Sequence, residues 1–299
     1  MTTPTPDGRL AAPLQNLDPA AAAAAEEALE EEARDEEAVE AASKLAPKLL
    51  YEVIRRDGEE ELTRPTRSLV WSGIAAGIMI SMSVLGEAIF RTYLPAEASW
   101  SYLIENLGYS LGFLVVILGR MQLFTENTIT TVLPVVHEGR GRLLGPMLRL
   151  WGIVLAANVV GAFAVAALYR FTPAIPTELW PAITSLSLHA TGFEPATAFA
   201  RAIPAGVLVA ALVWMLPQRG NALPIILIFT WLIAAGDFTH VVAGSVEWAW
   251  LVWGGELGLA EGALTFFLPV LAGNIVGGTA IFTLLAYGQV MDELDRKDL

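Results

Sequence analysis

The chain has 299 residues, of which 55% are hydrophobic and 16% charged, whereas a soluble domain carries about a quarter charged residues. It has no cysteine, which excludes disulfides and thiolate metal sites. The net charge of −13 is a local feature, because residues 1–60 hold fifteen Asp or Glu against six Lys or Arg.

In chain order, residues 1–25 are rich in Pro and Ala and read as disordered. Residues 26–46 are Ala/Glu-rich and read as a solvated helix, so 1–46 is expected to be an acidic extension. No cleavable signal peptide is expected, because the first sixty residues lack an apolar h-region. Leu49, Leu50, Val53 and Ile54 have helical spacing beside Arg55 and Arg56. Residues 47–67 therefore read as an amphipathic helix, lying along the membrane surface or packed on the protein. Apolar runs follow at 68–90, 102–134, 143–169, 199–217, 222–246 and 264–290. Each approaches or exceeds the ~18–20 residues that cross a bilayer. The expectation is an all-α membrane protein with six transmembrane helices over 68–290 and a short tail at 291–299.

Two of these runs contain a polar interruption: Leu123-Phe124-Thr125-Glu126-Asn127 and Gly236-Asp237-Phe238-Thr239-His240. Further along each half comes an Asn-x-Val-Gly, Asn158 to Gly161 and Asn274 to Gly277. Paired broken helices point to a transport path at a repeat interface, since backbone leaves a helix at membrane depth only where protein or a wet cavity receives it. Lys and Arg concentrate before the first run (Arg55, Arg56, Arg64, Arg67), around Arg140, Arg142 and Arg149, at Arg219, and at Arg296 and Lys297. The opposite side carries Arg91, Arg170 and Arg201 spread over longer loops, with Glu178, Glu194, Glu247, Glu256 and Glu261. This bias places both termini in the cytoplasm. Three spans per half then require an inverted 3+3 repeat, broken in helices two and five.

His240 is the one histidine placed within a span, with His137 and His189 in loops. A neutral imidazole donates and accepts, so it can hold a passing anion and exchange a proton; the plainer alternative is a cap on the broken helix. Thr125 fits an N-cap that also faces the permeant, beside a half-helix terminus whose dipole suits an anion. Glu126 and Asn127 read as partners for backbone groups freed by the break. Arg120 and Asp237 are expected to pair across the repeat. Asn158, Gly161, Asn274, Gly277 and Gly278 read as close-packing positions whose amides satisfy loop carbonyls, and Gly73, Gly77 and Gly86 as packing positions. No nucleophile, metal-ligand spacing or phosphate loop is present, so neither an enzyme nor a cofactor is expected, and no nucleic-acid partner.

These motifs together resemble the formate/nitrite transporter family. The resemblance rests on Leu123-Phe124-Thr125, His240, the paired Asn-x-x-Gly and Tyr109-Ser-Leu-Gly-Phe113. The run from Pro47 to Tyr51, with Arg64-Pro65 and Leu123 to Thr128, is similar to its YfdC-like branch. The resemblance covers roughly 47–290. It implies an aquaporin-like protomer in a homopentamer of the inner membrane, passing small monovalent weak-acid anions through one pore per protomer. It further implies a selectivity pair of Thr125 and His240, and apolar constrictions of Tyr109, Phe113, Leu123, Phe124, Val209 and Ile233. The sequence departs from the family pattern at Ala190 (a vestibule Lys), Gly206 (a pore Asn) and Thr239 (a Glu in formate channels). The missing Lys, with His189 and Glu194 nearby, keeps open a pore for a neutral or cationic solute. A membrane scaffold recruiting a soluble partner through its acidic extension is the third class.

Overall fold

The computed structural model describes residues 45–218 and 220–294, so the acidic extension before residue 45, Arg219, Arg296 and Lys297 lie outside the described residues. Among the described residues every regular element is helical. Helix α1, Pro47–Thr63, begins with a proline whose fixed φ suits a first helical position. It buries Leu50, Tyr51, Ile54, Gly58 and Leu62 on one face, and a Cβ at Gly58 would overlap the Thr130 carbonyl. This face of the helix packs on the protein.

The apolar runs then form α2 (Thr66–Tyr93), α3 (Ser101–Leu118), α4 (Phe124–Thr130), α5 (Val132–Glu138), α6 (Leu144–Phe171), α7 (Trp180–Thr191), α8 (Pro195–Met215), α9 (Ala222–Ala235), α10 (Val241–Gly254) and α11 (Leu259–Leu294). Among the described residues, five helices, α2, α3, α6, α8 and α11, are long and apolar enough to cross a membrane, while α9 is apolar but has 14 residues. The expected second and fifth runs are each divided, at 119–123 and 236–240. Leu168, Ile228, Leu264 and Leu285 stay exposed, a surface that lipid solvates and water does not. Exposed Trp71, Tyr93, Trp100 and Trp253 are of the type enriched at membrane–water boundaries.

Two helix pairs supply the frame. Helix α2 lies against α6, where a Cβ at Gly77 would overlap the Asn158 carbonyl and one at Gly161 the Ile74 carbonyl. Helix α8 lies against α11 in the same manner, with Gly206 at the Asn274 carbonyl and Gly277 at the Ile203 carbonyl. Small residues let the backbones meet, as membrane helices require without a hydrophobic force between them. Gly73 against Ala157, and Gly86 against Gly108, fill the packing roles expected of them. Gly206 therefore serves the α8–α11 contact. Two π-helical stretches, Ala263–Phe267 and Val276–Thr283, interrupt α11. The second sets Thr279 to donate to the Thr128 carbonyl of α4 at 2.8 Å.

Candidate functional site

The breaks are built alike down to single hydrogen bonds. Helix α3 ends with Arg120 N–H donating to Ile117 O (3.0 Å) and Met121 N–H to Val116 O (3.0 Å); α9 ends with Asp237 N–H to Ala234 O (2.9 Å) and Phe238 N–H to Ile233 O (2.9 Å). This is the Schellman ending, whose reversing residue takes a left-handed conformation usually given to glycine. Here it is Arg120 at φ 51° and Asp237 at φ 56°, non-glycine residues held in a disfavoured region.

One asparagine then clasps each break. Asn158 Oδ1 accepts from Phe124 N–H (2.9 Å), while its Nδ2 donates to Gly73 O and Gln122 O (both 2.8 Å). Asn274 Oδ1 accepts from Val241 N–H (2.8 Å), while its Nδ2 donates to Ala202 O (2.8 Å) and Thr239 O (3.0 Å). Backbone groups left bare at membrane depth are costly, and one buried amide answers three of them at each break. The amides thus reach helix carbonyls and a helix N-terminus as well as the break carbonyls anticipated for them.

This bonding sets how the two breaks correspond. Gly119 to Leu123 corresponds to Gly236 to His240, so His240 is the counterpart of Leu123. Both are extended N-caps, Leu123 at φ −102° and His240 at φ −123°. Thr125 is not a cap, because it lies inside α4, whose N-cap makes no side-chain bond. His240 is the cap: its Nδ1 accepts from Ala243 N–H at 3.3 Å. Its Nε2 meets Thr125 Oγ1 at 2.8 Å, so the two residues singled out in the sequence touch across the breaks, both buried. Because Nδ1 accepts, the bonding assigns the ring proton to Nε2, which donates to Thr125. The Thr125 O–H is then left to donate elsewhere.

Aromatic rings surround this pair. Phe113 meets the His240 ring edge-on at 5.1 Å, Tyr109 packs on Phe113 at 5.2 Å, and Phe124 meets Trp151 at 5.5 Å. A cavity of about 220 Å³ reaches inward as far as Tyr109 and His240. Phe113, Leu123, Phe124, Val209 and Ile233 lie outside its lining and are at most 1% exposed.

Several expectations change. Arg120 and Asp237 do not pair: Asp237 binds Arg201 and accepts from His189 at 2.8 Å, whereas Arg120 is exposed. His137 and His189 belong to helices α5 and α7, not loops. Asn127 does serve the break, with Nδ2 donating to Gln122 Oε1 at 3.2 Å and Leu123 O at 3.4 Å. Glu126 does not, since its Oε1 is buried with no partner among the described residues. Glu247, read as an outer-side residue, is buried within α10.

The cavity lining includes Glu87 and Glu105, which carry no role in the sequence reading, and Arg91, which counts there only as an outer-side charge. The available signal was Glu87 itself, a carboxylate inside the apolar run 68–90, where an ionisable residue is costly.

The folded chain is a multi-pass helical membrane protein, centred on two broken helices that meet at a Thr–His pair beneath a cavity. Its sequence matches the model of the formate/nitrite transporter family over residues 48–288. It is 43% identical over 249 residues to the inner membrane protein YfdC of Escherichia coli, covering 83% of this chain and 80% of that one. Identity to the formate channel FocA of Haemophilus influenzae is 29% over 246 residues, covering 72% and 84% of the two chains. Among solved structures, a pentameric formate channel with formate bound superposes at TM-score 0.64 with 20% identity, over 76% of this chain and 97% of that one. An ion channel of the same family superposes at 0.66 with 21% identity, over 81% and 98%. The chain belongs to the formate/nitrite transporter family, a family of membrane channels and transporters.

Proposed function

We propose that the chain passes a small monovalent weak acid of the formate or nitrite kind across the inner membrane, coupled to a proton. The observation that carries this reading is the Thr125–His240 contact where the two breaks meet. An anion entering the cavity takes a proton from the outer water and crosses the apolar collars as the neutral acid. Apolar constrictions strip water and hold back a hydrated charge, so the neutral form passes more readily. Between the collars the Thr125 O–H donates to the acid, while the His240 imidazole holds Thr125 in place and polarises it.

The proposal takes six crossings: α2, α3 with α4 and α5, α6, α8, α9 with α10, and α11. The twinned Schellman endings and asparagine clasps support an inverted 3+3 repeat of the aquaporin-like kind. The pentameric formate channel it resembles supports a homopentamer. The lysine and arginine bias supports cytoplasmic termini. In this frame Tyr109, Phe113, Leu123, Phe124, Val209 and Ile233 are constriction residues, and Asn127, Asn158 and Asn274 shape the breaks. Replacing Phe113 or Phe124 by Ala is expected to raise glycerol leakage through reconstituted protein severalfold. Unchanged leakage in a folded protein would make these rings core and not gate.

A second reading, passage of a neutral or cationic solute, is favoured by the cavity wall. Glu87, Glu105, Asp237 and Glu247 line it against the single guanidinium of Arg91, and Ala190 stands where the family pattern has lysine. An acidic funnel repels anions most strongly where the dielectric is low. Ala190→Lys is therefore expected to raise formate uptake severalfold at low ionic strength, with the gain fading as salt screens the charge. Proteoliposome flux with formate, nitrite, ammonium and glycerol separates the readings. Formate and nitrite flux above that of empty vesicles supports the first, ammonium or glycerol flux alone supports the second, and no flux leaves a scaffold.

A further inference from the structure

We infer that the outer cavity is a binding site for a small ammonium-type cation, held between the carboxylates of Glu87 and Glu247. The other charges of the wall are already answered. Arg91 is spent on Glu105, through Nε at 2.9 Å and Nη2 at 2.6 Å, and on Ser185 Oγ at 3.1 Å. Asp237 is held by Arg201 and His189. Glu87 on α2 and Glu247 on α10 remain, 6% and 9% exposed, both lining the cavity. Neither has a hydrogen bond or ion pair among the described residues, and both line the same cavity. Buried carboxylates are normally paired or bound to a cation, and among the described residues the Arg91 guanidinium that acts on both is bonded to Glu105 and Ser185.

The rest of the wall sets the kind of cation. Asn106 uses its Nδ2 on Tyr102 O at 2.7 Å, which leaves its Oδ1 as a further acceptor beside the two carboxylates. Three acceptors lining one cavity match in number the N–H donors of a primary ammonium. The rings of Tyr109, Phe238 and Phe266 line the same space, and aromatic faces attract ammonium-type cations. A divalent metal would call for six or more oxygen ligands, and no cluster of three or more His, Cys, Asp or Glu suited to a metal occurs among the described residues. A volume of about 220 Å³ admits ammonium or methylammonium with a few waters.

The site does not depend on the proposed weak-acid passage, and it gives the second reading a definite ligand. The test is equilibrium dialysis of radiolabelled methylammonium against the full chain purified in detergent, with formate flux measured on the same preparation. Saturable binding at one site per chain is expected, displaced by ammonium and not by equal sodium or choline. Glu87→Gln and Glu247→Gln should each weaken binding at least tenfold. The displacement series on the unmodified protein needs no variant to fold. Formate flux without saturable methylammonium binding would overturn the site and leave the weak-acid reading standing, while binding without formate flux would do the reverse. Equal displacement by sodium, or binding unchanged in both folded variants, would also overturn it.

Discussion

His240→Phe is expected to lower weak-acid flux through reconstituted protein by about one to two orders of magnitude without unfolding it. The estimate follows from losing a buried hydrogen-bond partner worth about 1–3 kcal/mol, each 1.4 kcal/mol being tenfold in rate. The ring has two separable duties: Nδ1 caps α10 by accepting from Ala243 N–H, and Nε2 holds Thr125. Losing the cap costs about 0.5–2 kcal/mol, too little to unfold a bundle whose breaks are clasped elsewhere. His240→Asn supplies a favoured N-cap residue with a shorter reach, and should keep stability while recovering part of the flux. The check is formate uptake set beside the melting temperature in detergent for wild type and both variants. Wild-type flux in a folded His240→Phe protein would reduce the residue to its capping duty.

Asn158→Ala and Asn274→Ala are expected to carry the largest stability losses. Each removes three hydrogen bonds and strands one buried N–H and two buried carbonyls. At about 1–3 kcal/mol for each unsatisfied group, the loss is about 3 kcal/mol or more per variant. It should appear as a lower melting temperature in detergent and as aggregation on size exclusion. Asn158→Asp and Asn274→Asp keep the acceptor and lose the donors, so intermediate losses are expected. Melting temperatures equal to wild type for both Ala variants would mean that the breaks are held by other contacts.

Much of this was legible in the sequence because it is written in repeated residue types. Asn158 with Gly161, and Asn274 with Gly277, recur at one spacing, since a clasp needs an amide and a close approach needs a glycine nearby. The run lengths gave the spans in outline, and the polar interruptions located both breaks. The register was not legible. Phe124-Thr125 and Phe238-Thr239 look alike as side chains, yet the repeat is carried by backbone bonding, in which Gln122 matches Thr239 and Leu123 matches His240. Side-chain likeness suggests a different frame, and the helix-end bonds with the asparagine acceptors at Phe124 and Val241 set the observed one. The Arg120–Asp237 pairing failed for a related reason. Equivalent residues of two separate breaks need not face each other, and Asp237 meets Arg201 of α8 instead. Burial was the other blind spot. Glu247 counts as an outer-side charge in a tally of loops, but as a cavity wall once α10 is placed.

The central claim is that a weak acid crosses past Thr125 and His240 as the neutral species, carrying its proton with it. The most direct measurement is lumenal pH in proteoliposomes holding a trapped pH dye, after an inward formate gradient is imposed. The account predicts lumenal acidification faster than in empty vesicles, undiminished when the membrane voltage is clamped by potassium and valinomycin, and lost in His240→Phe. Formate entry that moves charge and leaves the lumen unacidified would contradict it.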